Sequence, residues 1–488
     1  MDRSTVSSNI YKNLEPALRE IVGRDYVLTS RADLAVYECD AETLDVARPD
    51  MVVLPSSTEE VAAVVRLLNE NGVSFTPRGA ATGLSGGATT VMGGVSLVLT
   101  RMTRVIEIDP YDQVAVVEVG VTNLSVSDAA KRHGLYFAPD PSSQSASTIG
   151  GNLSENSGGP HTLKYGMTIN HVLGVKLVLP DGRVTVLGGR SRYAPGLDLL
   201  GVFVGSEGTL GIATEATLRL LPRPHAVETM LAYFPSVGAG GRAVSDIVAA
   251  GVVPAAMEMI DKLTLNAVED YLGMGLNRHA GALLIVELDG SEAGIHVHRE
   301  VVENCLRKND VISVDWAKDE SQRAKIWKAR KTSFGALGRI APHGYVLDGV
   351  IPRSRLAESI ERITAIGDKY NVVVANVYHA GDGNLHPCIL YHRDNVEEVA
   401  RVMKAAKEIL LMCVELGGTL SGEHGIGIEK VEEMPLAFTE AELEAMRWVK
   451  ESFNQKGLLN PGKIIPLPKT CGESGMRPLL RHTLLSTC

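Results

Sequence analysis

The spacing of apolar positions along this chain changes several times, and the changes outline its organisation. MVVLP at 51–55 is a short apolar run that predicts a strand. Ser57 and Glu60 have capping-box spacing, and Val61, Val64, Val65 and Leu68 recur on one helical face. Asn71-Gly72 closes that helix, and VSFTP at 73–77 predicts a second strand. Strands at 95–100, 104–109 and 113–121 follow, then a helix over 123–133 stopped by Gly134. The stretch 139–168 is rich in Pro, Ser, Gly and Asn and predicts an irregular loop. VLGVKLVLP and VTVLG flank Asp181-Gly182, a hairpin signal over 171–187. Residues 201–221 give a further glycine-rich turn and a strand ending at Leu221.

Pro222 and Pro224 mark a change of pattern. Beyond Val227 strands and helices alternate at 228–234, 241–250, 282–288, 295–308, 345–351, 354–370 and 371–379. Long amphipathic helices follow at 396–416 and 439–456. The expected fold class is α+β, divided into a helical N-terminal segment (1–45), a first domain (46–224) and a second domain with a mainly antiparallel sheet (225–440). A helix and the segment LLNPGKIIPLP, which has two structure breakers and no helical period, follow (441–468). A loosely ordered tail completes the chain (469–488).

The 488 residues are 45% apolar, enough for sizeable cores in two or three subdomains. The net charge of -10 excludes a general nucleic-acid binder, which needs a basic surface. Cys39, Cys305, Cys388, Cys413, Cys471 and Cys488 form no C-x-x-C pair, so neither an iron–sulfur cluster nor a zinc ribbon is indicated. Scattered cysteines fit a reducing compartment. The N-terminus lacks the apolar core of a secretory signal, and no apolar run reaches the ~18 residues of a membrane span. The expectation is a cytoplasmic protein, with peripheral attachment to a membrane complex left open.

PRGAATGLSGGA (77–88) holds four glycines, one arginine and no acid. Glycine lets successive backbone N–H groups converge on an anion, so this loop is a candidate phosphate cradle. It also contains G-x-S-x-G at Gly83–Gly87, which would make Ser85 a hydrolase nucleophile. That elbow requires a helix next, whereas GGVSLVL reads as a strand. The long polar stretch at 139–168 and GSEGTLGI (205–212) are two further segments suited to lining a large polar ligand.

NVVVANVYHAGDGNLHPCILY (371–391) is a hairpin pattern turning on Gly-Asp-Gly. His379 ends its first strand and His386 begins its second, so two imidazoles can lie side by side. Such a pair suits a metal, and it equally suits hydrogen-bonded structural roles. GGTLSGEHGIGIEK (417–430) sets Glu423 and His424 between glycines, either as a site or as a solvated loop. WKARKTSFGALGR (327–339) carries several cations beside aromatic and small residues and reads by itself as a solvated basic helix face.

Together PRGAATGLSGGA, TIGGNLSENSGG, GSEGTLGI and the terminal NPGKI resemble the FAD-linked oxidases of the vanillyl-alcohol oxidase/p-cresol methylhydroxylase superfamily, over residues 45–466. Within it the chain is similar to D-2-hydroxy-acid dehydrogenases, the branch of the glycolate oxidase FAD subunits and the D-lactate dehydrogenases. The resemblance implies a p-cresol methylhydroxylase-type FAD-binding domain and a substrate (cap) domain. Arg78, Gly79, Ala80, Ala81, Thr82, Gly83, Leu84, Ser85 and Gly86 would wrap the FAD pyrophosphate. Pro139, Ser147, Thr148, Gly151, Asn152 and Ser154 would line the flavin, with Glu207, Gly208, Ile212 and Asn460. His379, His386 and Glu423 would hold a divalent metal, Zn2+ by the donor set. His424 would be the general base and Arg330 a carboxylate clamp.

The implied reaction is oxidation of a small D-2-hydroxy acid to the 2-oxo acid, with hydride transfer to the flavin. The 2-hydroxyglutarate branch adds a lysine in the region matching 344–352 and an asparagine two residues after the second histidine. This chain has no such lysine and has Cys388 there, which favours glycolate or D-lactate over a dicarboxylate. Rival readings are a D-2-hydroxyglutarate-type dehydrogenase, an FAD subunit within a multi-subunit glycolate oxidase, and a zinc hydrolase using the same triad. Electrons would leave to an external acceptor: a quinone, an electron-transfer flavoprotein or an iron–sulfur subunit. A homodimer and a hetero-oligomer both stay open. Some relatives bind flavin covalently through a histidine near the first loop, and residues 77–88 contain none. FAD is therefore expected to be non-covalent. Acid precipitation should release all the flavin into the supernatant, and flavin remaining in the pellet would contradict this.

Overall fold

The structure, a computed structural model, describes residues 3–191 and 195–466. The tail at 469–488, with Cys471 and Cys488, lies outside them. Two compact units emerge. Of the described residues, one comprises 3–157, 167–191, 195–222 and 424–466, and the other comprises 158–166 and 223–423.

The first unit begins with the helix Arg3–Val22. The lead-in is not wholly helical: Val27–Leu28 forms strand β1, which pairs antiparallel with β2 (Met51–Val53). Ser57 caps the next helix, Thr58–Glu70, by accepting from Glu60 N–H, while the Glu60 carboxylate reaches Ser56 rather than Ser57. That helix buries Val61, Val64, Val65 and Leu68, the stripe read from the sequence. Strands β3 (Phe75–Arg78) and β4 (Val95–Val98) complete a sheet of order β1-β2-β4-β3, parallel among β2, β4 and β3. Strands β5 (Val105–Asp109), β6 (Val114–Glu118), the short β7 (Leu135–Tyr136), β8 (Val172–Val178), β9 (Val184–Gly188), β10 (Ile212–Arg219) and β11 (Leu221–Pro222) follow. Five of them form an antiparallel sheet, β5-β6-β10-β8-β9, and β7 pairs with β11. The C-terminal segment returns to this unit, where Leu459 bridges Phe75 in parallel.

The stretch 139–168 is not irregular throughout. Residues Ile149–Glu155 form a helix whose N-terminus is capped by Thr148, the hydroxyl accepting from Gly151 N–H. Composition counts its glycines against a helix, but the cap and the close seating of Gly150 against Val119 hold it in place. Part of the same stretch, 158–166, belongs to the other unit. There His161 Nε2 lies 3.1 Å from a Glu287 carboxylate oxygen, and Lys164 and Tyr165 bond Asp289.

The second unit is built on one antiparallel sheet. Its strands are β12 (Ala226–Phe234), β13 (Ala256–Asp261), β14 (Ala282–Gly290), β15 (Ser313–Trp316), β16 (His343–Val346), β17 (Val373–His379) and β18 (Asn384–Tyr391), in the order β15-β12-β14-β13-β17-β18-β16. The strand Ala256–Asp261 follows Gly251, at φ +86°, and Pro254, and its helical successor Lys262–Leu272 is capped by Asp261 itself. Side chains alternate across the sheet, so parity assigns faces. Leu231, Tyr233, Ile260, Leu283, Ile285, Ala375, Val377, Cys388 and Leu390 share one core with the helices Lys262–Leu272 and Ser333–Leu337. By the same parity Glu258, Glu287, His379 and His386 lie on that face.

Gly94 has φ +95°, and a Cβ there would come within 2.0 Å of the Ser74 carbonyl oxygen. Gly134 has φ +70° with nothing within 4 Å of such a Cβ. Gly134→Ala should cost about 1–2 kcal/mol, the left-handed penalty alone, and Gly94→Ala clearly more. Thermal melting checks this, and equal losses would contradict it.

Candidate active site

In the second unit the register fixes the site. Glu258 lies directly opposite His379 across β13 and β17, and Val377 lies opposite His386 across β17 and β18. His379 and His386 are therefore diagonal neighbours on one face rather than a directly opposed pair, their ring centroids 4.9 Å apart. His386 is the third residue of its strand, not the first. The Gly381–Gly383 turn joins the two strands.

The third member comes from the loop after helix Val396–Glu415. Asp348, fully buried, gathers that loop: it accepts from Ser421 Oγ, from Gly422 N–H at 3.0 Å and from Glu423 N–H at 3.2 Å, and also from Asn384 Nδ2 at 2.9 Å. The Glu423 carboxylate is thereby delivered to the imidazoles. Its Oε1 lies 3.3 Å from His379 Nε2 and 3.2 Å from His386 Nε2. One ligand atom from each of the three side chains lies within 4.8 Å of the others. Ligands about 2.0–2.1 Å from a tetrahedral Zn2+ stand about 3.3 Å apart, so little movement would seat an ion.

The far nitrogens are tied as a metal site needs. His379 Nδ1–H donates to Glu258 Oε1 at 2.7 Å, and His386 Nδ1–H donates to the Leu347 carbonyl at 3.1 Å. Both Nε2 atoms are thereby turned to Glu423. Burial opposes charge on His379, but the Glu258 and Glu423 carboxylates outweigh it and hold its pKa well above the usual value. Burial likewise opposes the Glu423 charge, yet His379 and His386 hold that carboxyl well below its ordinary range. The cluster favours a cation at its centre.

Arg330 does not lie on a solvated face. It is buried on helix Glu320–Lys331, and its Nε donates to Glu258 Oε2 at 2.6 Å. Its Nη groups make no hydrogen bond to a described residue.

In the first unit the three glycine-rich segments meet. No backbone N–H from Gly79 to Gly87 donates to a partner among the described residues. A Cβ at Gly79 would fall 2.3 Å from Thr148 Oγ1, so the first loop lies directly on the cap of helix Ile149–Glu155. Ser85 is fully buried with no helix after it, which excludes the nucleophile reading. Its carbonyl accepts from Ile428 and Glu429 N–H, and a Cβ at Gly427 would fall 2.0 Å from that oxygen. His424 opens this return segment. The Glu207 carboxylate accepts from Ile426 N–H at 2.7 Å and Gly427 N–H at 2.6 Å, and burial raises its pKa against those two bonds. Asn460 Nδ2 donates to the Gly87 and Glu207 carbonyls. Ala81, Glu207 and Asn460 all have positive φ, strain that collects at functional segments.

Residues 49–188 match the family model described as FAD binding domain, and residues 223–464 match FAD linked oxidases, C-terminal domain. The chain is 44% identical over 459 residues to the glycolate oxidase subunit GlcD of Escherichia coli (strain K12), covering 94% of this chain and 92% of that one. The chain belongs to the FAD-linked oxidases. It is also 34% identical over 417 residues to the D-lactate dehydrogenase of Archaeoglobus fulgidus (85% and 91% covered). The fold matches p-cresol methylhydroxylase with substrate bound, at TM-score 0.76 and 17% identity over 93% and 96% of the two chains.

FAD is thus the cofactor of this FAD-linked oxidase, and its residues fit one. Besides the open N–H run, the side-chain donors Ser85 Oγ, Ser147 Oγ, Asn152 Nδ2 and Ser206 Oγ are buried without a partner among the described residues. Pro139, Thr148, Ile212 and Gly208 are buried in the same unit, with Gly151 and Ser154 half-buried on the capped helix. Arg78 is turned away from the loop it opens, toward the Tyr37 and Cys39 carbonyls.

Sequence reasoning passed over Glu258, Asp348 and Lys463. Glu258 and Asp348 stand as acids among apolar neighbours, AMEMID and YVLDGV, and a buried carboxylate demands partners. Lys463 lies in NPGKI and is fully buried, donating to the Gly87 and Thr89 carbonyls, and burial pushes it down to about 8.

A metal ion entering the triad competes with protons for the His379 imidazole, whose pKa the Glu258 and Glu423 carboxylates raise against its burial. Zn2+ binding to metal-free protein should therefore release protons and weaken as pH falls, by about tenfold per pH unit for one proton displaced. Calorimetry in buffers of different ionisation enthalpy checks this, and an affinity flat from about pH 6 to 8 would contradict it.

Proposed function

We propose that this FAD-linked oxidase converts a small D-2-hydroxy monocarboxylate, of the glycolate or D-lactate class, to the 2-oxo acid. The observation that carries the reading is the cluster of buried His379 and His386 with half-buried Glu423, in a chain similar throughout to proteins named for glycolate and D-lactate. In this reading His379, His386 and Glu423 hold a divalent metal, Zn2+ by the donor set. When bound, FAD supplies a hydride acceptor and the cation a Lewis acid for the substrate oxygens.

The chain supplies the rest. Arg330 offers its Nη groups to the substrate carboxylate, its Nε already committed to Glu258. His424 takes the hydroxyl proton at an imidazole nitrogen. Glu423 and His424 are consecutive, so one peptide ties the metal ligand to the base. Cys388 is buried in the apolar core and 344–352 offers no lysine, so a second carboxylate would meet no cation there. Ser85 and the other loop residues from Gly79 to Gly86 hold the pyrophosphate of FAD, without a covalent bond, while Arg78 braces the loop from behind through the Tyr37 and Cys39 carbonyls. Electrons then leave to an external quinone, electron-transfer flavoprotein or iron–sulfur partner. Among the described residues no helix is long and apolar enough to cross a membrane.

Anaerobic mixing with a panel of D- and L-2-hydroxy acids tests the reading. Glycolate or D-lactate should bleach the flavin fast, and L-lactate and D-2-hydroxyglutarate slowly. Fast reduction by the dicarboxylate, or by none of the panel, would contradict it. His424→Ala should keep both FAD and metal while flavin reduction slows by about 10²–10⁴-fold. Glu423→Ala should lose metal and activity together. Metal loss in His424→Ala would contradict the assignment of base and ligand.

A further inference from the structure

Glu258 belongs to no motif, yet it stands between the two groups on which the proposed chemistry depends. It is fully buried on β13. Its two carboxylate oxygens are divided between two partners: Oε1 accepts from His379 Nδ1–H at 2.7 Å, and Oε2 accepts from Arg330 Nε–H at 2.6 Å. Each partner keeps its working edge for something else. His379 turns Nε2 to Glu423, and Arg330 keeps both Nη groups.

We propose that Glu258 is a positioning residue that sets the spacing between the metal-ligating imidazole of His379 and the carboxylate-binding guanidinium of Arg330. The inference rests on the functional reading above, which gives those two groups their roles. A 2-hydroxy acid carries its hydroxyl and carboxylate on adjacent carbons, so a metal and a guanidinium that share it must be held at one separation. A single carboxylate bonded to both does this without a loop. The strands and helix that carry the three residues reinforce it. Glu258 is opposite His379 in the sheet register, and Arg330 projects from helix Glu320–Lys331, whose Arg323 and Trp327 bond Glu287 on the neighbouring strand β14. Helix positions 323, 327 and 330 fall on one face, so two buried acids on adjacent strands dock that face.

The bond to Nδ1 also fixes the tautomer. A carboxylate accepting from Nδ1–H leaves the Nε2 lone pair for a metal, and loss of such a partner typically weakens metal binding about 10–100-fold. Glu258→Gln leaves one carbonyl oxygen where two acceptors stood. Glu258→Asp keeps the charge but is one methylene short of spanning both partners.

The test measures Zn2+ affinity by chelator competition on the FAD-loaded full chain, together with FAD content, thermal melting and the KM for D-lactate. Both variants should retain FAD, lose about 10–100-fold in Zn2+ affinity and show a raised KM. Arg330→Lys should raise KM and leave Zn2+ affinity at the wild-type value, because the Glu258–His379 bond survives. If Glu258→Gln does not fold, Glu258→Asp decides. Wild-type Zn2+ affinity and KM in a folded Glu258 variant overturn the bridge alone. A wild-type protein that binds no divalent metal overturns the ligand reading, and the bridge with it.

Discussion

The register of one antiparallel sheet governs the second unit's chemistry. Side chains alternate across a sheet with period two, so a slip of one residue between β13 and β17, or between β17 and β18, would send a whole strand's side chains to the other face. In the observed register Glu258, Glu287, His379 and His386 share a face with a continuous apolar core. The core residues of the same strands specify that register by burial. The polar end of the face is therefore positioned by the apolar end, and the chemistry inherits its geometry from packing.

Ionisable groups set this close, most of them buried, would be costly unless each answered another. Glu258 is held below its usual range despite its burial, because Arg330 and His379 are beside it. Glu423 is answered by His379 and His386, and Asp348 by a set of N–H and O–H donors. Removing one partner of such a set leaves a charge stranded in low dielectric, typically costing about 3–5 kcal/mol. The first unit shows the complementary condition. Among the described residues its loops carry open backbone N–H groups, and the buried Ser85, Ser147 and Ser206 hydroxyls and Asn152 Nδ2 have no partner, the state expected of a surface made for a large polar cofactor.

Much of this is legible in the sequence. The capped helix at 58–70, the Asp181-Gly182 hairpin and the hairpin turning at Gly381–Gly383 follow from spacing and turn chemistry, because local rules decide them. The helix at 149–155 was hidden because its stability comes from a Thr148 cap and from tertiary seating of its glycines, neither visible in composition. The charged neighbours Lys328 and Lys331 allow a solvated face for the segment of Arg330, beside the clamp that the resemblance implies. Its hydrogen bond to Glu258, a tertiary contact, turns it inward. Glu258 and Asp348 left a signal, single acids inside apolar runs, but naming their partners needed the fold.

The proposed metal site of two imidazoles and one carboxylate depends on the sheet register. Diffraction from crystals of the FAD-loaded protein, collected on both sides of the zinc absorption edge after growth with Zn2+, locates the ion. One strong anomalous peak is expected about 2.0–2.1 Å from His379 Nε2, His386 Nε2 and a Glu423 carboxylate oxygen. Absence of a peak there, with the metal bound elsewhere on the chain, would contradict it.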